Sequence, residues 1–370
     1  MKLDNLVLTN YRNCQNIKLD FEKNKTLIIG KNAQGKTNIL ESIYFLSTLK
    51  SPRTSNNTDL IKFGANSFTT EAQLIKHDTN IDMYYRFGQD KKRELKLNGV
   101  KSTIKDFKST LKCVLFSTSD LLLLRGAPQD RRDWLDRAIA QIYPAYDDRL
   151  SKYEKIRIQK NNYFKECAKT GNYDNNLLDV LNEQLSVTGS NIIFIRKKYL
   201  KEIEKIAKEK HKTISETEEL TINYDCSFID EDSIEDINDI QTVFKASLEE
   251  RKNEEIRRCQ ACIGPHRDDI NFCINGLDGT KFASQGQQRT IVLALKLSEL
   301  DIITDKTGDE PVLLLDDVLA ELDDLRQNYL LKSISDTTQT IITSVDTILF
   351  EDEFLKDVQI YKIENGGIIK

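Results

Sequence analysis

The chain lacks the marks of several protein classes. It has no excess of basic charge. Its 54 Lys and Arg against 59 Asp and Glu leave a net charge of −5, so any nucleic-acid surface has to be a local patch. It has no apolar run near the roughly 20 residues that a membrane helix needs. The opening MKLDNLVLTNYRN is broken by Lys2 and Asp4 and is followed by no small-residue cleavage site, so no secretory signal is expected. A soluble, cytoplasmic protein is expected. Seven cysteines are an odd and scattered set, so reduced thiols are expected rather than a disulfide framework. There is no internal repeat and no low-complexity segment. Between Pro128 and Arg258 only one further proline, Pro144, and two glycines, Gly171 and Gly189, punctuate the chain.

What is present has two textures. The first 115 or so residues alternate as short strands around one helix: LVLTNYRN, IKLDF and KTLIIG, then a hairpin around HDTN, a second hairpin at Asn98–Gly99, and the apolar strand KCVLF. From Pro128 the period changes. YDDRLSKYEKIRIQKNNYFKECAK reads as one helix, TGNYDNN as a turn, and Leu178, Leu181, Leu185, Thr188, Ile192, Ile195 and Tyr199 as the seam of a second. After GPHRDD the mixed pattern returns. INFCINGLDG is a strand and turn, SQGQQR opens a helix, PVLLLDD is a strand, a helix starts at about Ala320, and TQTIITS and a final VQIYKIEN are strands. The reading is an α/β head, residues 1–127 and 259–370, split by a helical insertion, residues 128–258, that carries short coiled-coil-like arms.

The chemistry is concentrated in three places. GKNAQGKT, residues Gly30, Lys31, Asn32, Ala33, Gln34, Gly35, Lys36 and Thr37, lies between a strand and a helix, as a phosphate loop requires. Its backbone N–H groups and the helix N-terminus suit an anion, and Asn38 continues that first turn. Lys36 is placed to reach β- and γ-phosphates and Thr37 to hold Mg²⁺ through its hydroxyl. In VLLLDDV an apolar strand ends on two carboxylates: Asp316 for the Mg²⁺ shell, Asp317 to orient or deprotonate a water. The third place is SQGQQR, a polar mouth on the apolar helix TIVLALKLSEL. A C-x-x-C pair, Cys259 and Cys262, with His266 and Cys273 nearby, makes a zinc site conceivable, although buried or idle thiols are the plainer reading.

Lys36 and Asp316 stand 280 positions apart, wider than compact kinases and GTPases place these elements. Phosphate loop, long helical insertion, Ser-Gln-Gly helix start and acidic strand follow the order of ATP-binding-cassette ATPases. The set LTNYRN, GKNAQGKTNILESIY, SPRT, LFSTSDLLLLRGAPQDRRDWLD, IGPHRDD, SQGQQR and LLLDDVLAELD resembles the RecF family, which is related to SMC proteins and Rad50. That resemblance implies ATP and Mg²⁺ as cofactors, ATP-driven homodimerisation, DNA binding at single-strand/double-strand gaps and help in loading a recombinase. It also implies mediator partners of the RecR and RecO type. It further implies that Ser284, Gly286 and Gln287 meet the γ-phosphate bound by a second copy, and that Arg53 can reach DNA near the nucleotide.

The chain departs from its relatives in four ways. Thr118 stands where RecF chains usually have proline, and STSD replaces a glutamine common in other cassette ATPases. Asp317 replaces the glutamate of transporters, as in RecF generally, and Thr343 and Ser344 stand at the place of a switch histidine. Slow hydrolysis is the expectation. Lys50, Arg53, Arg131 and Arg132 are the candidate DNA contacts, beside the clusters Arg196–Lys198 and Arg257–Arg258. A transporter's nucleotide-binding subunit is the alternative, and the insertion of roughly 130 residues, the signature and the missing histidine argue against it. A long-armed SMC-type tether needs arms hundreds of residues long, which this chain has no room for.

Overall fold

The computed structural model describes residues 1–229 and 236–369. It forms two compact units, Met1–Leu122 with Val292–Lys370, and Leu123–Ile291. The sequence put the divisions after 127 and after 258. The difference has a cause in pairing. Strand Asp269–Ile274 forms a continuous antiparallel ladder with Leu220–Asp225, from Asp269–Asp225 to Ile274–Leu220, so the segment after 258 goes with the insertion. Leu220–Asp225 also corrects the expectation that the insertion is all helix.

The first unit has two six-stranded sheets. One runs in the order Cys14–Asp20, Lys2–Tyr11, Ser67–Lys76, Thr79–Gly88, Arg93–Leu97, Val100–Lys101, each strand antiparallel to the next. The expected hairpins are present. His77 and Asp78 turn the first of them, and Asn98 and Gly99, with φ 49 and 76, turn the second. The other sheet runs Gly367–Ile369, Val358–Glu364, Lys25–Ile29, Thr340–Ser344, Val312–Asp316, Cys113–Ser117. All but the first of these are parallel. Central strands of a parallel sheet are covered on both faces, which is why residues 27–29, 312–315 and 341–342 read as unbroken apolar runs.

Helix Lys36–Thr48 is buried on most sides. One cluster joins Leu6, Leu8, Phe68 and Tyr85 of the antiparallel sheet, Ile43 and Phe45 of the helix, and Ile28, Leu314 and Ile341 of the parallel sheet. Phe45 meets Tyr85 edge-on at 5.0 Å between ring centres. Each fully buried side chain of this size contributes about 1.5–3 kcal/mol, so the helix that opens at the phosphate loop is anchored along its length. Two expectations are corrected near the C-terminal end. The helix expected from Ala320 is a 3-10 turn, Leu319–Glu321, and then an α-helix, Asp324–Ser333, capped by the Asp323 carboxylate. VQIYKIEN is not the final strand, because Asn365 and Gly366 turn it into a hairpin with Gly367–Ile369.

The second unit carries the arm. Helices Tyr146–Thr170 and Asn175–Ile214 are joined by a turn in which Gly171 caps the first and the Asp174 carboxylate caps the second. The seam is buried at Leu178, Leu181, Leu185, Thr188, Ile192 and Tyr199, whereas Ile195 is partly exposed. Its neighbour Arg196 turns inward instead, with two nitrogens on the Asp136 carboxylate and a third on the Pro265 carbonyl and the Tyr224 hydroxyl.

Candidate functional site

Four parallel strands of the first unit end side by side. Ile29 pairs with Ser344, Thr343 with Asp316, and Asp316 with Ser117. This register gathers residues that lie far apart in sequence at one sheet edge, where open parallel sheets place ligands. The edge opens into a cleft of about 580 Å³ lined by Asn32 to Asn38, Arg53, Ser117, Thr118, Asp316 and Asp317.

The loop after Ile29 bends through Ala33, φ 64, and Gly35, φ 111, before Lys36 starts the helix. A side chain on Gly35 would put its Cβ 2.8 Å from Asn13 Oδ1, so glycine is needed for both angle and space. The Lys36 ammonium is buried, donates to the Gly30 and Lys31 carbonyls at 2.8 and 3.3 Å, and stands 3.9 Å from Asp317 Oδ2. Thr37 Oγ1 donates to Asp316 Oδ1 at 3.0 Å. The carboxylate pair is thus in contact with both side chains that end the phosphate loop.

Thr343 holds the pair in place. Its hydroxyl lies 2.9 Å from Asp316 Oδ1 and accepts the Asp317 N–H at 2.8 Å. Asp317 itself has φ 51, a left-handed conformation that aspartate tolerates better than most residues. Sequence reading saw at Thr343 only a missing histidine. Its function follows from its position on the strand between the other two, which no motif announces. Burial pushes the Asp316 carboxyl above the ordinary range, hydrogen bonds from Thr343 and Thr37 pull it back, and the Asp317 carboxylate pushes it up again. A hydroxyl beside a partly desolvated carboxylate is a hard-oxygen pair that suits Mg²⁺ completed by water and phosphate oxygens. Among the described residues there is no cluster of three His, Cys, Asp or Glu side chains for a softer, all-protein metal site.

Further residues that sequence reading missed surround the loop. Glu41 is buried and bound by two nitrogens of Arg12 at 2.8 and 3.0 Å and by the Ser51 hydroxyl at 2.5 Å. Asn38 donates to Asn13 Oδ1 at 2.7 Å and accepts from Arg53 Nη1 at 2.7 Å. The STSD segment closes on itself, because Asp120 Oδ2 accepts from both the N–H and the hydroxyl of Ser117 at 2.8 Å.

The SQGQQR segment lies in the second unit and starts helix Gln285–Thr307, which is buried from Thr290 to Leu300. Ser284 and Gln287 form a reciprocal cap: Gln287 N–H donates to Ser284 Oγ at 3.2 Å and Ser284 N–H to Gln287 Oε1 at 2.7 Å. The other end of the Gln287 amide donates to Glu218 at 2.8 Å. Ser284 is exposed, with Gly286 partly so.

Residues 2–368 match the RecF/RecN/SMC N terminal domain family. The chain is 38% identical to a DNA replication and repair protein RecF of Bacillus subtilis and 39% to that of Staphylococcus carnosus, over the full length of each. The chain belongs to the RecF family. A solved structure of the recombination mediator protein RecF-ATP in the RecFOR pathway superposes with a TM-score of 0.91 at 33% identity, covering 100% of this chain and 97% of the other. An SMC head bound to the C-winged helix domain of ScpA reaches 0.54 at 15% identity and shares the fold alone. The fold is therefore the cassette-type ATPase head common to RecF and SMC proteins, with its helical insertion, and RecF-family membership over the whole chain sets the transporter reading aside.

The candidate DNA contacts of this RecF-family chain divide. Lys50 is exposed, and Arg53 is half-exposed at the cleft, 3.5 Å from Glu41. Arg131 and Arg132 are buried inside the second unit, which takes them out of the DNA-facing set. Arg131 binds both oxygens of Asp269 at 2.8 Å, and Arg132 binds the Asp268 carbonyl at 2.6 Å. Arg196 is removed for the same reason, and Arg258 pairs with Glu254 on its own helix. The residues of the conceivable zinc site each have other contacts. Cys259 and Cys262 face the carbonyls of Ile256 and Gln260, and His266 Nδ1 is 2.7 Å from the Tyr153 hydroxyl. Among the described residues no helix is long and apolar enough to cross a membrane.

Proposed function

We propose that this chain is an ATP-gated DNA-binding ATPase of recombinational repair and replication, working in the cytoplasm. Two copies close on ATP over DNA at single-strand/double-strand gaps and cooperate with RecO- and RecR-type mediators to load a recombinase. The observation that carries the reading is the meeting of Thr37, Asp316 and Asp317 with Lys36 in one cleft, from positions up to 281 apart in sequence.

Roles follow from the chemistry of each group. The loop N–H groups and Lys36 hold the β- and γ-phosphates of ATP. Thr37 and Asp316 would hold Mg²⁺, which when bound neutralises phosphate charge. Asp317, aimed by its N–H bond to Thr343, orients the attacking water and takes its proton. Aspartate is one methylene shorter than glutamate, so its carboxylate reaches less far toward that water. Hydrolysis is then slow and is stimulated by DNA. Ser284 and Gly286 complete the site of the other copy at the positive end of a rigid helix, while Gln287 holds that helix start in shape. Arg53 and Lys50 are the remaining candidates for DNA phosphates near the nucleotide.

The test is binding to gapped DNA with and without Mg-ATP, over a protein concentration series read for dimer formation by light scattering. ATP should tighten DNA binding and raise the dimer fraction together. DNA binding that ignores ATP at every concentration would rule the gated clamp out.

A further inference from the structure

The phosphate loop is held from outside by a segment that none of its motifs includes. The carbonyl of Ile363 presses on Gly30, and a Cβ there would meet it at 2.4 Å. At the tip of the C-terminal hairpin the Asn365 N–H donates to Gln34 Oε1 at 2.6 Å, and the Gly366 N–H donates to the Gln34 carbonyl at 2.9 Å. Gly366, with φ 72, is wedged against the Asn13 carbonyl, where a Cβ would come within 2.5 Å. Asn13 in turn reaches Asn38 and faces Gly35. Gln34, a member of the phosphate loop, therefore spends its side-chain oxygen on the hairpin.

From this geometry we infer that the Asn365–Gly366 turn is a clasp that positions the phosphate loop and sets the affinity for ATP. The inference rests on the ATP reading above. Two N–H donors on Gln34 fix the outer bend of the loop, and Gly366 ties that bend to Asn13, which braces the loop exit. A loop held in its binding shape loses less freedom when phosphate enters. Coupling is reciprocal, so ATP must tighten the hairpin as much as the hairpin tightens ATP.

Gln34→Leu removes the side-chain acceptor. Gly366→Ala forces the turn off Asn13. Asn365→Gly keeps the N–H and eases the left-handed backbone. Mg-ATP binding by calorimetry should weaken about 3- to 10-fold in Gln34→Leu, the scale of one lost hydrogen bond, and at least as much in Gly366→Ala. Asn365→Gly should stay within about 2-fold of the parent. The loss should fall on KM more than on kcat, with the nucleotide-free melting temperature of Gln34→Leu within about 2 °C of the parent. In the parent, ATP should slow amide exchange at residues 365 and 366. Unchanged ATP affinity in both Gln34→Leu and Gly366→Ala, or exchange at the turn indifferent to ATP, overturns the clasp while leaving the ATP reading intact. Failure of the parent to bind Mg-ATP overturns both.

Discussion

Lys36 is the only side chain of the phosphate loop that brings a buried positive charge to the cleft, and it already lies between the loop carbonyls and Asp317. Lys36→Ala should abolish ATP binding and ATP-dependent DNA retention together, as measured by nucleotide titration and DNA capture. Asp317→Asn leaves Asp316 and Thr37 untouched. It should keep ATP binding, lower kcat by about 100-fold or more, and leave the dimer on DNA, visible as slowed dissociation. Residue His266 makes a different prediction. Burial beside the Tyr153 hydroxyl pushes its imidazole down to about 3 from an ordinary 6.5. The unfolded chain therefore takes up a proton as pH falls below 6.5 and the folded chain does not until about 3, so stability is complete above 6.5 and is lost progressively as pH falls from there toward 3. The unfolding free energy read from denaturant titrations should fall by up to about 1.4 kcal/mol per pH unit between pH 6.5 and 5. His266→Gln should flatten that slope.

At the scale of elements, the start of helix Gln285–Thr307 has an observed cap and a proposed contact with a second copy, and substitutions can separate the two. Ser284 caps its own helix, so Ser284→Ala should cost about 1 kcal/mol in unfolding experiments, while Ser284→Asn keeps a cap. Ser284→Arg adds a bulky cation where the γ-phosphate of a second copy would sit. It should leave ATP binding by the monomer intact and abolish ATP-induced dimerisation, separated by size-exclusion chromatography with and without ATP. Equal loss of ATP affinity in the monomer would confine the serine to the fold. The parallel strands show the same division of labour. Residues 312–315 and 341–342 are apolar because both faces are covered, while Asp316 at the end of its strand lines the cleft and Thr343 on the next strand holds it there.

For the whole molecule, the prediction is complementation. In the proposed composite dimer, one site is made from the Lys36 of one copy and the Ser284 of the other. Mixing Lys36→Ala with Ser284→Arg chains gives a dimer with one doubly damaged site and one sound site, so hydrolysis should return to part of the wild-type rate in the mixture and in neither variant alone. It should also rise with total protein concentration, because dimer formation is second order. No recovery at any ratio would argue that each chain hydrolyses ATP by itself.

The parts of this protein that were legible in one dimension are those whose chemistry is local. A glycine-rich turn between strand and helix, two acids at the end of an apolar strand, Asn-Gly turns and the seam Leu178–Tyr199 each follow from neighbours a few residues away. The tertiary structure decided what depends on partners far along the chain. Arg131, Arg132 and Arg196 looked like surface charge until Asp269, the Asp268 carbonyl and Asp136 were brought to them. Leu220–Asp225 became a strand because Asp269–Ile274 offered it a ladder. Thr343 and the Asn365–Gly366 turn acquired their places from sheet order, which sets Thr340–Ser344 and Val358–Glu364 on either side of Lys25–Ile29. Pairing across more than 300 residues is paid for by the whole core, and no short stretch of sequence records it.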